Sequence, residues 1–552
     1  MIYSFDVFDT CLARICGDSK NVFDILSLKV IKLMGLPLGD WEHMRQTFVA
    51  ARMQYDGRLE DVYCEVGKAF PLPCSVDKMV SLEMETEKSV LTPIIATSQL
   101  IDTLRKKGQI IFISDMYLPS YFIEEQLRRF NFFKDNDLLF VSDQCGASKG
   151  DGSLYRLIHE QLGISYKRWY HYGDNKKSDY IIPRRLGIHA HWIHYEYLHY
   201  EELWRKIPVI KYPWANITAG ISRAIRLQSK ARPEQAAFVC DISAPVMVSW
   251  VMRILKDAQK RGIKHIWFCS RDCHTEYHIA KHLHHFFTSI EIHYLFISSE
   301  STNKNTSVFL NYLIQEGVAS KSNPTAIVDS NSSGKTHYVI NTLLKENGYL
   351  PCHCYLLNRC NIFTIKNDVS DTLHYETNSY YAVKNHLPCI VKMVKKDFIE
   401  NYFSINFHNR TIGYEYHGEW LRPILVNDIY DNIKGDNIRA LKKDNDKLAI
   451  QWCNAMIDAN LMPFIENIFE YLAMPTLGRF SYAPERPYID YLKHFQHSEK
   501  PIVCKLHPFS LKNRSLWMRG SLGYSLPSFI GTHLYEILQS KFYLFICQFR
   551  KK

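Results

Sequence analysis

With 552 residues, 46% of them hydrophobic and 22% charged, the chain is globular and long enough for about two to four domains. Its 67 basic against 57 acidic residues leave a net charge of +10, which favours anionic partners such as phosphorylated metabolites and carries no strong nucleic-acid signal. Fifteen Cys without paired CxxC spacing argue against a secreted disulfide framework and for reduced thiols in a cytoplasmic protein. No leader is expected, because a strand begins at the first residues. No apolar run reaches the roughly 18 residues that span a bilayer.

The first predicted strand delivers Ser4-Phe5-Asp6-Val7-Phe8-Asp9-Thr10, an aspartate at a strand end with a threonine four positions on. Strand ends are where open α/β sheets place their ligands, and a carboxylate there serves as nucleophile, metal ligand or both. Residues 20 to 95 follow with apolar positions at helical spacing. A helix through Leu100, Ile101 and Leu104 closes at Lys106-Lys107-Gly108, and strand 109–113 ends in Ser114-Asp115-Met116-Tyr117. Strand 138–142 leads to Ala147-Ser148-Lys149-Gly150, where a lysine in a Gly-flanked turn can sit over a phosphate. Strand 169–172 runs into Gly173-Asp174 with Asp179 five residues later, two carboxylates able to reach one hard cation such as Mg2+. Taken singly, each has an ordinary structural reading: an N-cap serine, a surface lysine, a polar loop.

In this order, the four segments resemble the haloacid dehalogenase-like hydrolase superfamily over roughly residues 1 to 195. The resemblance implies a Rossmann-like domain with a helical cap at about 15–95 that shapes substrate choice. It implies that Asp6 attacks phosphorus, and that Asp6, the carbonyl of Phe8 and Asp174 hold Mg2+ with Asp179 in support. Thr10 would assist substrate binding, while Ser114 and Lys149 would bind the phosphoryl oxygens. One position departs from the phosphatase pattern: Phe8 stands where a second aspartate usually protonates the leaving group, and an aromatic there resembles the dehalogenase branch. Asp9, one further on, is the candidate substitute acid. The phrases Phe5-Asp6-Val7-Phe8-Asp9-Thr10 and Ile113-Ser114-Asp115-Met116-Tyr117-Leu118 also resemble long two-part predicted hydrolases associated with bacterial surface-polysaccharide synthesis.

Residues 196–240 read as a helical connector punctuated by Pro208, Pro213 and Pro233. A second α/β domain is expected over 241–400, with helix 246–259, strands 263–269, 291–297 and 325–328, and helix 337–345. The loop Asp329 to Thr336 lacks the glycine that a Walker A loop needs. It resembles, in part, the ribose-5-phosphate loop of type I phosphoribosyltransferases, which implies Asp329, Ser333, Gly334 and Thr336 as substrate-binding residues. The alternative is a structural domain with a Ser-rich N-cap. His274, His278 and His282 recur at helical spacing and read as surface histidines, since the HExxH order is absent.

Residues 446–473 read as helices and 475–487 as a loop, within a mainly helical, basic and aromatic region over 401–552. That tail suits either an anionic membrane surface or a solvated helix face. The combined expectation is an α/β protein: a Mg2+-dependent phosphohydrolase joined to a possible donor-transferase domain. Its partners would be a phosphorylated sugar or glycan intermediate and polysaccharide-assembly or peripheral membrane components, in the cytoplasm or peripheral to the inner membrane face. A phosphosugar-binding scaffold and a carbon–halogen hydrolase are the competing readings.

Overall fold

The computed structural model describes residues 1–36, 41–55, 57–207, 213–270, 273–332, 335–359, 410–426, 435–482, 488–492, 496–497 and 500–501. The chain is mixed α/β and divides into two compact units, 1–230 with 454–464, and 231–453 with 465–552.

The first unit is built on a five-stranded parallel sheet. Its strands are β1 (Ile2–Phe5), β4 (Gln109–Ser114), β5 (Leu138–Val141), β6 (Trp169–Gly173) and β7 (His189–Trp192), in the order β5-β4-β1-β6-β7. Two short strands, β2 (Leu12–Arg14) and β3 (Leu91–Pro93), pair antiparallel with Ala13 opposite Thr92. Near-continuous apolar runs such as Ile110-Ile111-Phe112-Ile113 are buried, as expected of a parallel sheet covered on both faces. The chain leaves β1 toward β4 and β5 on one side and returns to β6 and β7 on the other. The crevice at the carboxyl ends of β1 and β6 is therefore the topological switch point, where such sheets bind ligands.

Between β2 and β3 stand four helices, Asn21–Leu33, Trp41–Met53, Leu59–Ala69 and Val76–Val90. The two strands form the stem of this insert. Its interior holds a polar knot: Glu83 accepts two hydrogen bonds from Arg52 at 2.8 Å, one from Tyr63 at 2.5 Å and one from Tyr117 at 2.9 Å. Tyr117 lies just beyond β4, so this knot fastens the insert to the sheet domain.

The segment 196–240 departs from a simple connector. Its helix Pro213–Gln228 packs on β2 and β3, and Gly220 lies so close to the loop after β2 that a Cβ there would stand 1.9 Å from the Gly17 nitrogen. From Pro233 a continuous helical stretch runs to Lys260. Contrary to the expectation from apolar runs, it is long and apolar enough to cross a membrane, Asp241 breaking the uninterrupted run without lowering the overall hydropathy enough to exclude it. Its most apolar window is 94% buried inside the protein, and Asp241 accepts a 2.7 Å hydrogen bond from Tyr488, as a core helix requires.

The second unit carries a four-stranded parallel sheet of β8 (His265–Cys269), β9 (Glu291–Leu295), β10 (Thr325–Ser332) and β11 (His353–Arg359), in the order β11-β10-β8-β9. An antiparallel hairpin, β12 (Arg410–His417) and β13 (Trp420–Val426), follows. The C-terminal region contains helices Gly435–Asp458 and Met474–Tyr482, the latter within the stretch expected to be a loop. Pro475 lies in the helix that follows directly on the π-helical turn Ile468–Ala473, and the buried Leu477 and Phe480 supply the packing that outweighs Pro475 and Gly478. The basic, aromatic tail beyond residue 501 lies outside the described residues.

Candidate active site

β1 ends at Phe5, and the backbone then folds tightly on itself. The amides of Cys11 and Leu12 donate to the Val7 carbonyl at 2.8 and 2.9 Å, and Asp9 adopts a left-handed φ of 57° with its amide on the Leu12 carbonyl. This turn leaves Asp6 at the sheet's carboxyl edge, 6% exposed. Thr10 Oγ1 donates to Asp6 Oδ2 at 3.0 Å, and Lys149 Nζ donates to Asp6 Oδ1 at 2.5 Å.

Lys149 is held there by Asp115, a residue outside the four motifs. Ser114 closes β4, buried, and the next residue, Asp115, accepts hydrogen bonds from the Lys149 amide at 2.9 and 3.0 Å, from Ser148 Oγ at 2.9 Å and from the Gly150 amide at 3.3 Å. Asp115 thus ties the lysine loop to the end of β4. The lysine ammonium also donates to Asp179 Oδ1 at 2.7 Å, bridging β1 and the loop after β6.

Asp179 is buried and held on several sides. Its Oδ2 accepts from the Asn175 amide at 3.0 Å, and His171 Nε2 lies 3.3 Å from Oδ1. His171 is itself fixed by Ser4 at 2.7 Å and Tyr155 at 3.0 Å. Gly173 makes this possible: a Cβ there would lie 2.5 Å from both Cβ and Cγ of Asp179. Asp174 follows β6, with its backbone carbonyl accepting from Trp192 Nε1 at 2.6 Å.

Asp6, Asp174 and Asp179 each place a carboxylate oxygen within 4.8 Å of the others. Burial pushes Asp6 up to about 6, opposed by Lys149 and reinforced by Asp179. Burial pushes Asp174 up to about 8, with Asp6, Asp9 and Asp179 adding like charge. Burial also acts to raise Asp179, but Lys149 and His171 outweigh it and hold this carboxyl below its ordinary range. Lys149 feels burial in the opposite sense, yet its two carboxylate partners raise it, so the ammonium stays charged. One cation therefore faces three convergent carboxylates, and two of these are short of positive charge. An all-oxygen donor set with that deficit fits a hard divalent cation of the Mg2+ type.

Phe8 sits beneath Arg14, whose guanidinium lies 4.3 Å from the ring centroid and pairs with the buried Glu87 at 2.7 Å. Asp9, the candidate proton donor, accepts instead from Arg223 Nη1 at 2.8 Å. Arg223 also donates to the Tyr195 carbonyl at 3.1 and 3.0 Å. A hydrogen bond from Asp9 to a leaving group would have to displace that ion pair. A cavity of about 350 Å³ elsewhere in this unit is bordered by Asp18, Lys20, Asp24, Arg45, Arg205 and Lys206. It contains none of the three convergent carboxylates.

In the second unit, Asp329 is 8% exposed on β10 and lies in a group with Cys269 and His337, while Thr336 is half-buried. Ser333 and Gly334 fall outside the described residues. The histidine reading needs correction. His274 is buried, not on the surface, because it packs under the helix Gly435–Asp458 with Nε2 3.8 Å from Asp446. His278 is exposed and completes a group with those two, which does not include His282.

No family model matches the chain, and no curated protein matches it. Solved structures similar to part of it include a haloacid dehalogenase-family phosphatase from Thermococcus onnurineus, at 16% identity and TM-score 0.27, covering 36% of this chain and 88% of that one. A second, a haloacid dehalogenase-family enzyme from Bacteroides thetaiotaomicron, is 12% identical with TM-score 0.28, covering 37% and 98%. A third, a 2-haloacid dehalogenase from Pseudomonas syringae pv. tomato DC3000, is 15% identical with TM-score 0.26, covering 35% and 85%.

Proposed function

We propose that the first unit is a Mg2+-dependent phosphohydrolase acting on a phosphorylated sugar or a related phosphate ester. The observation that carries this reading is the convergence of Asp6, Asp174 and Asp179 on one point beside the buried Lys149 ammonium. Asp6, Asp174 and the carbonyl of Phe8 would hold the cation, with Asp179 anchored behind them. A bound Mg2+ supplies positive charge that offsets repulsion between a carboxylate and a phosphate dianion.

The protein's own groups do the rest. Lys149 and Thr10 fix the two oxygens of Asp6 and so aim the carboxylate out of the strand end. A free oxygen lone pair of Asp6 attacks phosphorus; the P–O bond to the leaving group breaks and its electron pair departs with that oxygen. Water then attacks the aspartyl-phosphate, releasing inorganic phosphate and a proton and restoring the carboxylate. Ser114 and the Lys149 ammonium stabilise the phosphoryl oxygens. Phe8 offers no proton, and Asp9 is engaged by Arg223, so the leaving group that fits best departs without protonation.

Phosphate release from p-nitrophenyl phosphate and a panel of sugar phosphates, with Mg2+ and beside Asp6→Asn, tests the proposal. Absence of turnover by folded, Mg2+-binding protein would overturn it and favour a phosphosugar-binding scaffold. Halide release from 2-haloacids in place of phosphate release would favour carbon–halogen hydrolysis.

A further inference from the structure

The second sheet has its own switch point. After β8 the chain passes to β9 on one side and then to β10 on the other, so a crevice forms at the carboxyl ends of β8 and β10. Phe268 and Val328 are register partners across these strands, which makes Cys269 and Asp329 the next pair along the crevice. Neighbours at the same level of a parallel sheet project to the same face. His337 comes from the first turn of the helix Lys335–Glu346 that follows β10.

These three side chains are buried, at 5%, 8% and 1% exposure, and each offers a ligand atom within 4.8 Å of the other two. His337 is the informative member, because neither of its ring nitrogens has a hydrogen-bond partner among the described residues. Buried imidazoles are ordinarily satisfied, and an orphaned pair of nitrogens calls for a ligand. Burial also holds this ring neutral, pushed down to about 4, the form with a lone pair to donate. Cys269 is not in a disulfide.

We propose that Cys269, Asp329 and His337 form a second metal centre, selective for a borderline cation of the zinc class. One thiolate, one imidazole and one carboxylate match such a cation, whereas the all-oxygen set in the first unit matches Mg2+. Three protein ligands, the whole group among the described residues, leave a fourth position for water or an anionic substrate atom. Binding displaces the thiol proton of Cys269 and forms the metal–sulfur bond, with no redox change. The site is independent of the chemistry assigned to the first unit.

Cobalt titrated into the full-length chain tests this without reference to activity. The expected result is a thiolate-to-cobalt charge-transfer band with tetrahedral visible absorption, saturating at one equivalent and displaced by zinc. It should vanish in Cys269→Ser and persist in Asp6→Asn. His337→Gln should weaken binding by at least about 10- to 100-fold, the loss typical of even an outer-shell partner. The proposal is overturned if wild type gives no thiolate band at stoichiometric cobalt, if the band survives in Cys269→Ser, or if His337→Gln binds as tightly as wild type. Should His337→Gln fail to fold, the Cys269→Ser comparison decides alone.

Discussion

At the scale of single residues, the site turns on Asp6 and the two groups that orient it, Lys149 and Thr10. Asp6→Asn is expected to lower phosphate release by more than about 1,000-fold while leaving the fold intact, checked by turnover and circular dichroism. With Phe8 against Arg14 and Asp9 against Arg223, esters of poor leaving groups should suffer. An absent general acid costs about 100- to 10,000-fold, so p-nitrophenyl phosphate should be hydrolysed faster than a primary alkyl phosphate by a factor in that range. Comparable rates on the two esters would require an acid not identified at this site. Gly173→Ala forces a methyl group into Asp179, and overpacking of this kind costs about 1–3 kcal/mol. Thermal denaturation should register that loss, together with weaker Mg2+ binding. Asp6 and the acidic loop were legible as candidates because each follows a short apolar run, and Lys149 because it sits in a Gly-flanked turn after the next one. Asp115 and His171 were not, since what marks them is contact with other residues, the Lys149 loop and Asp179, that only the fold creates.

At the scale of elements, the helical insert hangs from the β2–β3 stem and is fastened by Glu83. Glu83 lies at 0% exposure between Arg52, Tyr63 and Tyr117, so removing it leaves a guanidinium buried without its partner. Glu83→Ala should therefore destabilise the first unit by about 3–5 kcal/mol, read from denaturant melts. Little change in the melt would mean that the insert does not depend on this knot. Helical periodicity made the helical character of residues 20–95 predictable, because apolar faces repeat locally, but not its division into four helices. The stem was not, since three-residue strands carry too few positions to show alternation. The loop expected at 475–487 failed for a related reason: Pro475 and Gly478 are weak local signals, outweighed by the burial of Leu477 and Phe480.

At the scale of the whole molecule, the two convergent carboxylates with raised values couple stability to pH and to cations. Asp6 and Asp174 rise to about 6 and about 8, above unfolded values near about 3.9. The folded chain therefore binds more protons than the unfolded chain between about pH 4 and pH 8, and stability falls as pH rises through that window. Asp179 contributes in the opposite sense, stabilising above the unfolded value and losing that contribution in acid. A cation bound at Asp6 and Asp174 would replace the lost protons. With chelator present, the melting temperature should drop between about pH 5 and pH 8, and Mg2+ at about 100 times its Kd should restore about 2.7 kcal/mol at the upper end. A Mg2+ effect equal at both pH values, or unchanged in Asp174→Asn, would contradict the assignment.

The sequence by itself determined the class of fold and the main strands of both sheets, because buried runs and periodicity are written over a few consecutive positions; it did not show the β2–β3 stem, the β12–β13 hairpin or the extension of β10 past Val328 to Ser332. Tertiary structure alone decided what those residues meet. Arg223 reaches Asp9 across 214 positions, Lys149 reaches Asp6 across 143, and the chain rejoins the first unit at 454–464. Cys269, Asp329 and His337 come together only because two parallel strands and a following helix converge at one switch point. Such pairings depend on how the sheet orders its strands, and no local pattern of residue types encodes that order.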